Sequence, residues 1–169
     1  MIRKRLALLL AAGLLPATAH AASLTTFGPR FGVSISPDQL VLGGQLAFTE
    51  VAPNVSLVPN LELGFGDGRN VIAMNADMHY HFAVQGTDWT PYAALGLGIN
   101  IIEFDMPAPT PDVSDTRFGL NIILGTDVPT AAGNAFFAEA RFGVGDIPSL
   151  KVIAGWNFRM RRAGRGGGV

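Results

Sequence analysis

The chain contains no cysteine, which excludes disulfide staples, thiol nucleophiles and thiolate metal sites together. It is also sparing with charge: only 15% of its 169 residues are Asp, Glu, Lys or Arg, and the formal net charge is −1. Such a balance offers no basic footprint for nucleic acid, and none is expected as a partner. Nor does the chain contain the roughly twenty consecutive apolar residues that a spanning helix needs. What it has in quantity is hydrophobic residues, at 49%, and 21 glycines. That is too apolar for a disordered chain. By length it is one domain, whose fold has to close by backbone hydrogen bonding and packing alone.

The first segment reads as an export signal. Arg3, Lys4 and Arg5 open it, Leu6 to Leu15 form a short apolar run, Pro16 ends the run, and Ala19-His20-Ala21 supplies an A-x-A cleavage pattern. Cleavage is expected after Ala21, so that residues 1–21 are the signal peptide and 22–160 the folded domain. The signal carries three basic residues and no acidic one, leaving nine against thirteen and a mature formal charge of about −4.

From about residue 30 the sequence alternates apolar with small or polar residues in segments divided by Gly, Pro, Asp and Asn, the pattern of β-strands. Eight are expected, at about 30–36, 41–49, 55–66, 71–82, 89–102, 116–125, 135–143 and 150–160. The fourth has the plainest alternation, with Ile72, Met74, Ala76, Met78, Tyr80 and Phe82 on one side and Ala73, Asn75, Asp77, His79 and His81 on the other. No helix produces that period. The turns are expected to be short, at 37–38, 50–54 and 67–70, and the longest connection, Glu103 to Asp115 with Pro107, Pro109 and Pro111, is expected on the surface.

Eight consecutive strands with short connections favour an up-and-down antiparallel sheet, which leaves bare edges unless it closes into a barrel. The two faces differ in kind. One is large and apolar almost throughout, and the other mixes glycine and alanine with Arg30, Glu62, Asp77, His79, His81, Arg117, Glu139, Arg141, Lys151 and Arg159. A polar face so rich in glycine suits a narrow lumen that must be filled without overpacking, and inside it the five basic and three acidic groups can pair. The strands are long enough to cross a bilayer at a tilt. The expected fold is therefore an all-β, eight-stranded, antiparallel up-and-down transmembrane β-barrel with outer-membrane lipid as its surroundings. Phe48, Tyr80, Phe82, Trp89, Tyr92, Phe136, Trp156 and Phe158 are expected to form one interfacial belt, and Phe65, Phe104, Phe118 and Phe142 the other. The opposite arrangement is a soluble periplasmic barrel with its large side chains inside, binding an apolar ligand.

Two stretches carry a family likeness: Trp89-Thr90-Pro91-Tyr92-Ala93-Ala94-Leu95-Gly96-Leu97-Gly98 and Phe137-Ala138-Glu139-Ala140-Arg141-Phe142. A third is the last strand, Ile153-Ala154-Gly155-Trp156-Asn157-Phe158-Arg159-Met160. Together they resemble the small outer-membrane β-barrel proteins that include OmpA-like, OmpX-like and OmpW-like barrels. The resemblance implies outer-membrane localisation, both termini on the periplasmic side, and a terminal signal read by the outer-membrane assembly machinery through Gly155, Phe158 and Met160. The chain departs from the pattern in having Met160 where an aromatic residue is usual and in continuing as an Arg/Gly tail, 161–169, which is expected to be unstructured.

The chemistry on offer is limited. Asp77, His79 and His81 share one strand face, and His-x-His on a strand can ligate zinc. A metal also needs ligands from neighbouring strands, and if Gly66 pairs with Val71, Glu62 faces Asn75 and lies only diagonal to Asp77. No metal or cofactor is expected. A lipid-modifying outer-membrane enzyme would need a serine beside a histidine; Ser114 and Ser149 lie toward the wrong rim, and Ser56, expected near His81, reads as lumen filling. A non-enzymatic barrel with a structural, small-solute passage or surface-interaction role follows. Mass spectrometry of the mature protein from expressing cells is expected to find its N-terminus at Ala22; an intact Met1 would remove the export reading.

Overall fold

The computed structural model describes residues 23–66, 68–104, 113–130 and 133–160; the expected signal, the tail 161–169 and most of the long connection lie outside them. The described chain forms eight strands: β1 (Ser23–Ile35), β2 (Gln39–Ala52), β3 (Val55–Gly66), β4 (Arg69–His81), β5 (Thr90–Phe104), β6 (Val113–Pro129), β7 (Ala135–Gly145) and β8 (Leu150–Arg159). Each pairs antiparallel with its sequence neighbours, and β8 returns to β1 through Thr26↔Arg159, Phe31↔Ala154 and Ile35↔Leu150, closing the barrel. Closure removes the bare edges that an open sheet of this length would carry.

Local sequence explains the path. In β4, Val71, Ala73, Asn75, Asp77 and His79 are buried while Met74, Met78 and Tyr80 are exposed, so period two translates directly into lumen and outer wall. Two prolines, Pro29 and Pro59, sit in strand interiors, away from the first and last two residues, and each removes a donor from the ladder. The ladder gives way beside them. Pairing between β1 and β8 is interrupted between Phe27↔Phe158 and Arg30↔Gly155, at Pro29. Pairing between β2 and β3 is interrupted between Gln45↔Asn60 and Phe48↔Leu57, at Pro59.

Several boundaries differ from the sequence expectation. β2 runs on to Ala52, so the expected turn at 50–54 contracts to Pro53-Asn54, with Asn54 in the left-handed region at φ 60°. The β3–β4 turn contracts likewise: Gly66 pairs with Arg69, not Val71, which leaves a two-residue turn at 67–68 with Gly68 at φ 66°. This two-residue change in register sets Glu62 opposite Ala73 and Asn60 opposite Asn75. At the far side β5 and β6 stay paired through Glu103↔Ser114 and Phe104↔Val113, so the long connection shortens to 105–112. In each case continued ladder pairing outweighs the local turn signal, because every added pair satisfies backbone groups that a loop would leave to solvent.

The outer wall is apolar. Leu95, Leu97 and Phe118 are 68%, 67% and 66% exposed, and Leu42, Leu61, Met74, Leu120 and Val152 join them. Toward the end where the termini lie, the terminal rim, this wall carries Phe27, Tyr80, Phe82, Trp89, Trp156 and Phe158; toward the far rim it carries Phe65, Phe118 and Phe142. Phe136 packs edge-on against Trp156 at 5.1 Å, and Tyr80 against Phe82 at 5.1 Å. Tyr92 does not belong to this belt. It is 3% exposed and points into the lumen, having the same parity as Ala94 and Gly96.

Leu97 lies at the middle of β5 on this wall. Leu97→Arg is expected to weaken folding into lipid vesicles by about 2–4 kcal/mol, measured by denaturant titration of the refolded barrel; an unchanged midpoint would mean that this face does not meet lipid.

Candidate functional site

The lumen is organised around six charged side chains from β1, β3, β4, β7 and β8. Arg30 bridges two carboxylates, with Nη2 2.9 Å from Glu62 and in contact with Glu139. Arg141 grips Asp77 through both terminal nitrogens, at 2.7 and 3.1 Å, and also reaches Glu139 at 3.0 Å. Lys151 donates to Glu62 at 2.7 Å. Three cations thus meet three carboxylates, and the exposure of every one of these side chains is 6% or less. The balance matters because a buried charge without a partner costs several kcal/mol.

Amides and one phenol extend the network toward both rims. Arg30 donates to Gln45 at 2.9 Å, Gln45 to Asn157 at 2.7 Å, and Asn157 to Asp127 at 3.3 Å. On the other side Asn121 donates to Asn75, Asn75 to Asn60, and Asn60 to Asp77 at 2.6 Å. The Tyr92 hydroxyl donates to the second oxygen of Glu139 at 2.7 Å. Apolar side chains fill what remains: Phe137, Ile153 and Val41 pack together, as do Tyr92, Ala94 and Ile123, and the Arg30 guanidinium lies 5.9 Å from the centre of the Phe137 ring. Glycine makes room for these groups. A Cβ at Gly96 would overlap the Asp77 carboxylate, and one at Gly125 the Tyr92 ring.

Not all of the expected lumen residues join this centre. Arg117 stands apart near the far rim, where its side chain is 38% exposed and bonds to Asp115 at 2.8 Å. Arg159 is exposed at the terminal rim, where its backbone N–H donates to Asn134. The reason is depth along the barrel: Arg159 ends β8, and Arg117 lies beyond the last β6–β7 pair, Gly119↔Gly145, so water competes for both charges. His81 is half-buried, with Nε2 3.4 Å from Asp127. His79 is buried and stacks on Tyr92 at 4.5 Å. Asp77, His79 and His81 do share a face, but Arg141 and Asn60 occupy the Asp77 carboxylate. Among the described residues no three His, Asp or Glu side chains come close enough to hold a metal. Ser56 lies opposite His79, not beside His81. Gly155, Phe158 and Met160 fall where β8 meets β1: Gly155 pairs with Arg30, Phe158 with Phe27, and the Met160 N–H donates to the Thr25 carbonyl.

Sequence reasoning overlooked the amides, Asp127 and Tyr92. Strand parity could have found them, since Gln45, Asn60, Asn75, Asn121 and Asn157 all fall on the faces already marked polar.

The network divides the lumen into two mouths. The terminal mouth is a vestibule of about 420 Å³ whose wall includes Ser56, His79, His81, Tyr92, Asp127 and Asn157. The far mouth, about 570 Å³, is bounded by Val71, Ile102, Arg117 and Ile147, and Ile147 from the β7–β8 connection lies over Gly119 and Gly143. Between the mouths stand the ion pairs and Phe137.

An apolar outer wall, a polar glycine-bearing lumen and complete antiparallel closure decide the class. The fold is that of the small outer-membrane barrels. The chain is similar to the N-terminal β-barrel domain of Pseudomonas aeruginosa OprF, with 18% identity and a TM-score of 0.66 over 82% of this chain and 99% of that one. It is also similar to Neisserial surface protein A, with 13% identity and a TM-score of 0.63 over 80% and 96% of the two chains. The outer membrane enzyme PagL aligns at 10% identity with a TM-score of 0.45, covering 81% of this chain and 99% of that one. No family model and no curated protein matches the sequence. The expected fold class therefore holds: an outer-membrane-type barrel, closed and all-antiparallel.

Removing Glu139 takes an acceptor from Arg30, Arg141 and Tyr92 together. Glu139→Ala is expected to lower the melting temperature and to cost about 3–5 kcal/mol, and Glu139→Gln, which keeps a hydrogen-bond acceptor, is expected to cost less. Thermal unfolding followed by gel mobility measures both; an unchanged Glu139→Ala barrel would remove the residue from the network. A double-mutant cycle on Asp77→Asn and Arg141→Met is expected to show a coupling of at least about 1 kcal/mol, and additive losses would mean that the bidentate pair contributes no energy of its own.

Proposed function

We propose that this protein is a non-enzymatic barrel of the bacterial outer membrane whose role is structural, closed to free solute passage through its lumen. The observation that carries the reading is the charge-balanced network of Arg30, Glu62, Asp77, Glu139, Arg141 and Lys151 standing across the lumen between the two mouths. A continuous aqueous path would have to break several buried ion pairs at once, and an eight-stranded barrel is about the size that side chains alone can fill. The wall supports the location: lipid can receive its apolar side chains and water cannot do so cheaply. A soluble barrel for an apolar ligand would need the faces reversed, and the large side chains lie outside. For a lipid-modifying enzyme the histidine pair would have to meet lipid, whereas His79 is buried in the lumen and His81 lines the same vestibule.

Fractionation of expressing cells is expected to place the protein in the outer membrane, with gel mobility that changes on boiling. Reconstituted in a planar bilayer, it is expected to give no steady conductance, and lipid A from expressing and non-expressing cells is expected to have the same mass spectrum. Solubility without detergent would overturn the membrane reading, a stable open channel the closed lumen, and a new lipid A species the non-enzymatic role.

A further inference from the structure

Several buried polar atoms of the lumen have no hydrogen-bond partner among the described residues, most of them within or beyond the ion-pair network, and one stands at its terminal end. Nε2 of His79 is buried without a hydrogen-bond partner among the described residues, on a side chain only 5% exposed that lines the terminal vestibule. A buried imidazole nitrogen left in this state is costly unless something enters to meet it. We propose that the vestibule is a binding site for a small, neutral, polyhydroxylated molecule of the size and chemistry of a mono- or disaccharide.

Four features converge on that class. Thr26, Thr49, Ser56 and Thr90 are among the residues of the wall, and a hydroxyl both donates and accepts, as a sugar hydroxyl does. A ligand hydroxyl can likewise serve His79 Nε2 in either tautomer, by donating a hydrogen bond to it or accepting one from it. Asp127 supplies a carboxylate oriented by Asn157 at 3.3 Å and set 3.4 Å from His81, an arrangement able to accept from ligand hydroxyls. One side of the cavity is a cluster of rings: Tyr92 stacks on His79 at 4.5 Å and lies 5.6 Å from His81, and the half-buried His81 ring has exposed surface able to meet the C–H side of a pyranose.

Charge narrows the choice further. Among the described residues that line the vestibule, Asp127 and Arg159 are the carboxylate and the guanidinium, opposite in sign, while Glu139 and Arg30 beneath them are paired within the network. Neither an anion nor a cation gains from the net field, and a neutral ligand loses nothing. A volume of about 420 Å³ falls within the range of small-molecule sites, and the mouth opens at the terminal rim, so entry needs no rearrangement of the ion pairs.

The test uses the full mature chain refolded in phosphatidylcholine nanodiscs, with isotope labels on the histidine rings, titrated separately with glucose, N-acetylglucosamine, sucrose and inorganic phosphate. The expected result is a saturable shift of the His79 and His81 ring signals with at least one sugar. Ser56→Leu, which fills the space opposite His79, and His79→Phe, which keeps the ring stack and removes Nε2, are each expected to abolish saturation while leaving heat-modifiable mobility intact. That mobility separates loss of the site from loss of the barrel. No saturable shift with any sugar up to on the order of 100 mM would overturn the proposal, as would an undiminished sugar response of the His81 signal in Ser56→Leu. Saturation by phosphate alone would overturn it in favour of an anion site beside Arg159.

Discussion

Everything in this barrel depends on the fact that its charges are inside. Between its two rims, a small closed sheet with an apolar exterior has nowhere to place ionised groups except its lumen, and a lumen filled by side chains excludes much of the water that would otherwise screen them. Three cations and three carboxylates therefore have to find one another across the barrel, from strands as distant in sequence as β1 and β7. Arg30 and Arg141 suit this because a guanidinium can contact two carboxylates at once. Glu139 is the point where both arginines and Tyr92 meet. The same pairs that neutralise the lumen also cross-link opposite walls, so filling, closure and charge balance are one arrangement.

The glycines follow from that arrangement. Where Asp77 crosses toward Arg141 the neighbouring strand carries Gly96, and where Tyr92 lies down toward Glu139 the next strand carries Gly125. Large and small inward residues thus alternate between strands as well as along them, which lets long polar side chains cross a narrow lumen without overpacking. Toward the terminal rim the pattern relaxes into hydroxyls and open volume, and there the lumen is able to receive something other than its own side chains.

Much of this was legible in the residues. The alternation in β4, from Val71 to His81, marks a strand and divides it into two faces without further information, because side chains a period of two apart must share a side. The same logic marks Arg30, Glu62, Glu139, Arg141 and Lys151 as one set. It was less informative at strand ends. Pro53-Asn54 and Gly68 signal turns, but how far β2, β5 and β6 extend is set by whether a neighbour remains to pair with, and that neighbour is known only once the sheet is built. Arg117 and Arg159 share the parity of the lumen set yet stay outside the network for the same reason: parity gives the side, and depth along the barrel decides whether the charge is dry.

The linear sequence by itself determined that this chain makes strands, that there are eight of them, and that one face of each is apolar and the other polar, since these depend on local periodicity and composition. Only the tertiary structure decided the register, and with it the partners. A two-residue change in the β3–β4 turn moves Asn60 opposite Asn75 and Glu62 opposite Ala73, and no local signal specifies which cation on β1, β7 or β8 will then lie within reach of which carboxylate. Closure brings those strands together, and the distances that convert a list of charged residues into a balanced network exist only after β8 has paired with β1.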